Sequence, residues 1–204
     1  MNIKEKYKQY LAKKSKFGIA TDILFVVFLI ALLIPQSRME VMAFVNKAKM
    51  LVMQPSVKAA DEVVSIADTD YQMTFTDLNG QNFDFSTAKG KVIFLNFWGT
   101  WCPPCVAEMP SIQELYNLYK DNPNVAFLMV STEESDVVKK FINKKGYNFP
   151  VYINHYKLPE AFTFSAFPTT FIISKSGKIV IREVGAVNWA GKNMKETLDK
   201  LIIE

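Results

Sequence analysis

Residues 91–105 read KVIFLNFWGTWCPPC, and the fold follows from what this stretch must do. Its first part, Lys91 to Trp98, is a mostly apolar run that suits a central strand buried on both faces. Its second part opens a helix, because Pro103 fits a first helical turn, where its missing N–H would have no partner. Cys102 therefore stands at the carboxyl end of a strand, where open sheets form their sites. It also stands at a helix N-terminus, where unpaired N–H groups and the helix dipole favour a thiolate over a thiol. Thiolate is the attacking species in disulfide exchange. Two intervening residues set Cys105 one turn further on, where its sulfur can attack a mixed disulfide formed by Cys102.

Outward from this stretch, strands and helices alternate. Tyr71 to Thr76 reads as a strand, and the turn Asp77-Leu78-Asn79-Gly80 returns the chain into Asn82 to Phe85. Pro103 to Lys120 is helical, and Val125 to Ser131 is a second buried strand. Asp136 to Lys145 is a helix closed by Gly146, with Val137, Val138, Phe141 and Ile142 as core positions. Thr169 to Ser174 and Lys178 to Val184 form a hairpin about Lys175-Ser176-Gly177, and Trp189 to Ile203 is a terminal helix. A strand–helix–strand crossover requires a parallel pair, and the hairpin adds antiparallel strands. The expected domain, residues 68–204, is α/β, with a mixed central sheet and helices on both faces.

A chain of 204 residues suits one domain plus attachments. The net charge of +4 is too small to argue for nucleic acid as a partner. Much of the excess lies in residues 1–16, a basic tail with Lys4, Lys6, Lys8, Lys13, Lys14 and Lys16. Residues 17–34, FGIATDILFVVFLIALLI, then read as a transmembrane anchor, at the short end of the roughly 17–25 residues a span needs. Asp22 lies near the basic end, within reach of headgroups. No small-residue cleavage site follows directly at Pro35-Gln36-Ser37-Arg38, so an uncleaved anchor is preferred to a cleaved signal or a buried soluble helix. Lysines before the span and few after it place the N-terminus in the cytoplasm. The catalytic domain is then expected on the periplasmic or extracytoplasmic side of the inner membrane. Residues 35–67 read as an amphipathic helix and linker. Met42, Val45, Lys49 and Val52 share one face, as in a stalk helix or a helix lying in the membrane surface.

Both cysteines lie in the one motif, so a disulfide-stapled secreted scaffold is excluded. A structural zinc site needs four ligands, and only His155 stands beyond the pair. Haem attachment needs a histidine after the second cysteine, where Val106 stands. Redox chemistry remains, with the Cys102–Cys105 dithiol as the only redox group and no cofactor or metal expected. Trp98 reads as a packing residue and Trp101 as a rim residue or a substrate contact.

FWGTWCPPC, followed by Val106-Ala107-Glu108-Met109-Pro110 and later by Ala166-Phe167-Pro168-Thr169-Thr170-Phe171, resembles the thioredoxin superfamily, and in particular its membrane-anchored TlpA/ResA branch. The resemblance covers about residues 68–204 and implies a thioredoxin-like fold. It implies Cys102 as nucleophile, Cys105 as resolving thiol and Glu108 as the acidic residue of the branch. It implies a cis Phe167-Pro168 bond facing the cysteines, with Phe167, Pro168, Trp101 and Pro103 at the substrate. Pro110 should kink the active-site helix. Asn96 stands where cytoplasmic thioredoxins carry a buried aspartate, and an amide cannot titrate. The implied activity is reduction of disulfides in exported proteins, in apocytochrome c maturation or a similar pathway, with a membrane electron donor restoring the dithiol. A disulfide-forming oxidase is the rival within the same chemistry. A peroxidase or a non-catalytic adaptor on the same fold are rivals outside it.

Overall fold

The computed structural model describes residues 15–33, 55 and 64–204. The tail up to residue 14 and most of the amphipathic helix and linker expected over residues 35–67 lie outside them. The chain divides into two units, Met1–Met42 and Ala43–Glu204.

In the first unit the apolar run forms helix α1, Lys16–Leu33. Its large apolar side chains from Ile23 to Ile30 are exposed. Among the described residues no helix is long and apolar enough to cross a membrane. Asp22 interrupts the apolar run, and the part that follows it, Ile23 to Leu33, is about 16 Å long at 1.5 Å per residue, against a hydrocarbon core of about 30 Å.

The second unit is built on one eight-stranded sheet. Its strands are β1 (Val64–Ser65), β2 (Thr74–Asp77), β3 (Asn82–Asp84), β4 (Val92–Phe97), β5 (Val125–Ser131), β6 (Val151–Ile153), β7 (Thr169–Ile173) and β8 (Lys178–Val184). The helices are α2 (Pro103–Tyr119), α3 (Ser135–Lys145) and α4 (Lys192–Ile203). Strand order is β1-β8-β7-β4-β5-β6-β2-β3. The pairs β4–β5 and β5–β6 are parallel and β4–β7 and β7–β8 antiparallel, so the sheet is mixed.

Alternation along the strands separates two cores. Val92 and Phe94 of β4, Phe127 and Met129 of β5, and Ile172 of β7 face one layer. That layer receives the buried faces of α2, α3 and α4, through Ile112, Val138 and Leu198 among others. Ile93, Leu95, Phe97, Leu128, Val130 and Phe171 face the other layer. There the cover is three short 3-10 turns, Asp68–Tyr71, Phe85–Ala88 and Glu160–Phe162, contributing Tyr71, Phe85 and Phe162. Both faces thus carry helical segments, with the α-helices of this unit all on one. Each fully buried Phe or Leu contributes about 1.5–3 kcal/mol relative to exposure.

Several boundaries differ from the sequence expectation. Tyr71 belongs to a 3-10 turn, held by its N-terminal Asp70 carboxylate accepting from Ala67 N, and the strand starts only at Thr74. Trp189 precedes α4, which begins after Gly191 in extended backbone. Val137 is 47% exposed; Val138 and Ile142 carry the core face of α3. Strands β1 and β6 have two and three residues, too short for any periodicity to mark them. Gly146 closes α3 at φ 71°, a conformation that only glycine adopts without cost.

Candidate active site

All six residues of β4 are buried, and the strand lies between β5 and β7 at the centre of the sheet. It delivers Trp98-Gly99-Thr100-Trp101 to the carboxyl edge. A Cβ on Gly99 would lie 2.9 Å from Trp101 Nε1, so a side chain there would push the Trp101 indole aside. Glu133, just beyond β5, grips this turn. Its Oε2 accepts from Thr100 N at 2.6 Å and its Oε1 from Thr100 Oγ1 at 2.7 Å. The loop is therefore fixed before the first cysteine is reached.

Cys102 is the N-cap of α2, in extended backbone, with Pro103 and Pro104 opening the helix. Cys102 and Cys105 are joined in a disulfide. The N–H of Cys105 donates to Cys102 Sγ at 3.3 Å. This is one of the orphan helix-start donors, aimed at the sulfur that would carry charge after reduction. Both cysteines are buried in this state, at 3% and 1% exposure, because closing the bond turns each sulfur toward the other. A thiol at a helix start would be expected to face solvent, and in the closed disulfide this one does not. Helix α2 runs on through Pro110, which is exposed, as far as Tyr119.

The antiparallel register brings the second half of the site to the first. Phe97 at the end of β4 pairs with Thr169 at the start of β7, so Phe167-Pro168 arrives beside the Trp98–Cys102 turn. The Phe167-Pro168 bond is cis. The Phe167 ring meets Trp101 edge to face, centroids 5.6 Å apart. Trp101 is 58% exposed and Phe167 half-buried, forming an aromatic rim; Pro168 is buried, and its carbonyl accepts from Gly185 N at 2.8 Å. His155 is exposed, and among the described residues no cluster of His, Cys, Asp or Glu has the makings of a metal site.

Glu108, one turn beyond Cys105, is 1% exposed. The resemblance implied only that Glu108 is the acidic residue of the branch; the structure encloses it wholly. Asn96 Nδ2 donates to its Oε1 at 2.9 Å and Trp189 Nε1 to its Oε2 at 2.9 Å. Burial pushes its pKa up to about 8, because a desolvated carboxylate is costly. The two side-chain donors and the backbone N–H of Val187 oppose that rise, and the charge of Glu183 adds to it. Ser111 completes the cage, donating to Glu108 O and accepting from Trp189 N.

Two groups escaped the sequence. Trp189 stood only as the first residue of the expected terminal helix, and no spacing links it to a carboxylate 81 positions earlier. Glu133 had a signal. A carboxylate just after a buried parallel strand lies at the edge where open sheets form sites.

Fold and site together define a class, the thiol–disulfide oxidoreductases built on the thioredoxin fold. A family model described as Redoxin matches residues 55–202, and the chain belongs to that family. It is 40% identical over 129 residues to the thiol-disulfide oxidoreductase ResA of Bacillus thuringiensis (strain Al Hakam), covering 62% of this chain and 74% of that one. Its identity to ResA of Geobacillus kaustophilus (strain HTA426) is 40% over 118 residues, 57% of this chain and 67% of that one. A thiol:disulfide interchange protein of Chlorobium tepidum TLS shares the fold, with a TM-score of 0.57 at 22% identity over 74% of this chain and 98% of that one. Within its family the chain is a ResA-like thiol–disulfide oxidoreductase.

Proposed function

We propose that the protein reduces disulfides of exported proteins, with Cys102 as nucleophile, Cys105 as resolving thiol and Glu108 as their proton partner. The observation that carries this reading is the Cys102–Cys105 pair at the start of α2, with a helix N–H on Cys102 Sγ and an enclosed carboxyl one turn below. In the first step the Cys102 thiolate attacks one sulfur of the substrate disulfide. A Cys102–substrate disulfide forms, and the departing substrate thiolate takes a proton. In the second step Cys105 gives its proton to the Glu108 carboxylate and attacks Cys102 Sγ. The Cys102–Cys105 disulfide forms and the second substrate thiolate leaves, so two electrons pass to the substrate. A membrane electron donor returns two electrons to the pair. The rim of Trp101, Phe167, Pro168 and Pro103 receives the substrate chain.

The direction and the exported substrates, including apocytochrome c, are supported by the likeness of residues 97–110 and 166–171 to the membrane-tethered branch. Tethering by α1, N-terminus in the cytoplasm and catalytic unit outside, is supported by its exposed apolar side chains and by the lysines that precede it. The whole 18-residue helix is about 27 Å long, close to a hydrocarbon core of about 30 Å, and the reading requires water and headgroups to reach Asp22 in its second turn.

Two measurements test the proposal. The reduction potential should lie toward the reducing end of the range from about −270 to about −120 mV, and a value near −120 mV would instead make the protein an oxidant. A reporter active only outside the cytoplasm, fused after Glu204, should give signal in the membrane fraction. A soluble cytoplasmic fusion would remove the anchor from the reading.

A further inference from the structure

The partners of the Glu108 carboxyl are an indole N–H, an amide NH2 and a backbone N–H. Such donors suit a carboxylate, which only accepts. A protonated carboxyl must also place an O–H, and the proton-partner reading requires Glu108 to hold that proton for part of each cycle. Asn96 carries the acceptor it needs. Both hydrogens of Nδ2 are in use, one toward Glu108 Oε1 at 2.9 Å and one toward Thr170 Oγ1 at 2.8 Å. Its Oδ1 is buried and has no hydrogen-bond partner. Asn96 is 0% exposed, so water does not serve that oxygen from the surface. The two ends of an asparagine amide have nearly the same size and opposite hydrogen-bonding character. A half-turn of the amide therefore exchanges donor for acceptor within one cavity.

We propose that Asn96 is a positioning residue that serves both protonation states of Glu108 by turning its amide. In the carboxylate state Nδ2 donates to Oε1 and to Thr170, as seen here. When a proton arrives from a thiol or from solvent, an O–H bond forms at Oε1 and no other covalent bond changes. Oδ1 then takes the place of Nδ2 and accepts from Oε1–H. The Thr170 hydroxyl, able to donate or accept, turns its own hydrogen to the same oxygen. Each orientation makes two hydrogen bonds; the first leaves Oδ1 unpartnered and the second leaves the two Nδ2 hydrogens unpartnered, so the turned form is held only while Oε1–H needs an acceptor. Trp189 holds Oε2 throughout, since its indole only donates and Oε2 accepts in both states. The device occupies the position where an ionisable aspartate would bring a second charge, and it lets the proton of Glu108 move without one. The other groups acting on Glu108 are Glu183 of β8, the Val187 N–H and, on its own helix, Cys105, which does not titrate while the disulfide is closed.

The inference rests on Glu108 as proton partner, and its test reads Glu108 apart from thiol exchange. The probe is the oxidised full-length chain in detergent, with 13C-labelled glutamate side chains and 15N-labelled asparagine side chains, followed by NMR from pH 5 to 10. Above the Glu108 midpoint the Asn96 NH2 protons should show strong contacts with the Thr170 side chain, and below it those contacts should be lost. An unchanged contact pattern while Glu108 titrates overturns the proposal. Two variants give a second readout. Trp189→Phe removes a donor that bonds Oε2 in both states but binds the charged carboxylate more strongly, so the Glu108 midpoint should rise by about one pH unit. Asn96→Leu removes one bond from each state and should shift the midpoint less than half as far. Equal upward shifts would mean that Asn96 serves only the carboxylate, and would overturn the proposal. If Asn96→Leu does not fold, the contacts in the unsubstituted chain decide. An amide that turns while Glu108→Gln exchanges thiols at an unchanged rate would leave the device standing and remove the proton-partner reading.

Discussion

The rings of Trp101 and Phe167 meet edge to face, 5.6 Å between centroids and 85° between planes, and so join the cysteine loop to the cis-proline loop. The contact lies at the surface, since Trp101 is 58% exposed. An exposed aromatic rim contributes to binding more than to folding. Trp101→Ala should therefore change stability by no more than about 1 kcal/mol. It should raise KM for a folded disulfide substrate about 5- to 30-fold, the loss expected of about 1–2 kcal/mol of aromatic contact. Turnover of a small disulfide reagent should be nearly unchanged. Equal losses on both substrates would make Trp101 a part of the loop framework instead.

Glu108 ties stability to pH. Its folded pKa of about 8 lies above the ordinary 4.5, so between these values the folded chain holds a proton that the unfolded chain has released. The stability this contributes is complete below about pH 4.5 and is lost as pH rises through about 8. Oxidised protein should therefore unfold more readily in urea at pH 9 than at pH 5, by several kcal/mol in order of magnitude. Glu108→Gln should flatten that dependence, and an unflattened profile would locate the pH effect elsewhere. Its amide can face Asn96 Oδ1 while its carbonyl keeps the Trp189 N–H, so the fold should survive. The variant should also slow thiol exchange and change its pH profile.

Glu133 makes two short hydrogen bonds to Thr100, one from the main chain and one from the hydroxyl. Charge-assisted bonds of this kind contribute about 1.5–3 kcal/mol each before solvent exposure weakens them. Glu133→Ala should cost about 1–2 kcal/mol of stability in denaturant unfolding. It should also slow reaction at Cys102, because the turn that presents it loses its tie to β5. Full activity with unchanged stability would show that Gly99 and the helix start hold the turn unaided.

What the sequence showed and what it hid follow from range. KVIFLNFW and VAFLMVS are long apolar runs, and they became β4 and β5 in parallel register. The Cys102–Cys105 pair and Pro103 announced a helix start through local chemistry alone. Phe167-Pro168 needed the family likeness, because nothing local brings position 167 to position 101; the β4–β7 register does. The cage around Glu108 lay further out of sight. Trp189, Asn96 and Thr170 converge on it from three separate segments, and no periodicity encodes such a meeting. Residue 64 was hidden for the opposite reason, since a two-residue strand is defined only by the neighbour it pairs with.

The two cysteines should differ in reactivity once the disulfide is reduced. Cys102 is the N-cap, its sulfur accepts from Cys105 N–H, and the helix dipole acts on it in the same sense. Both effects favour its thiolate. Cys105 lies within the first helical turn; both cysteines are buried in the closed disulfide, so position at the helix start, not burial, sets them apart. Limiting iodoacetamide at pH 7 should therefore label Cys102 at least about tenfold faster than Cys105, read by mass spectrometry of the digested protein. Cys105→Ser should accumulate mixed disulfides with substrate proteins, because the resolving attack is gone. Cys102→Ser should accumulate few, since the remaining thiol lacks the helix-start donor. Preferential labelling of Cys105, together with trapping by Cys102→Ser, would exchange the two roles. It would also mean that reduction opens the site from the Cys105 side, with the start of α2 moving rather than the cysteine loop.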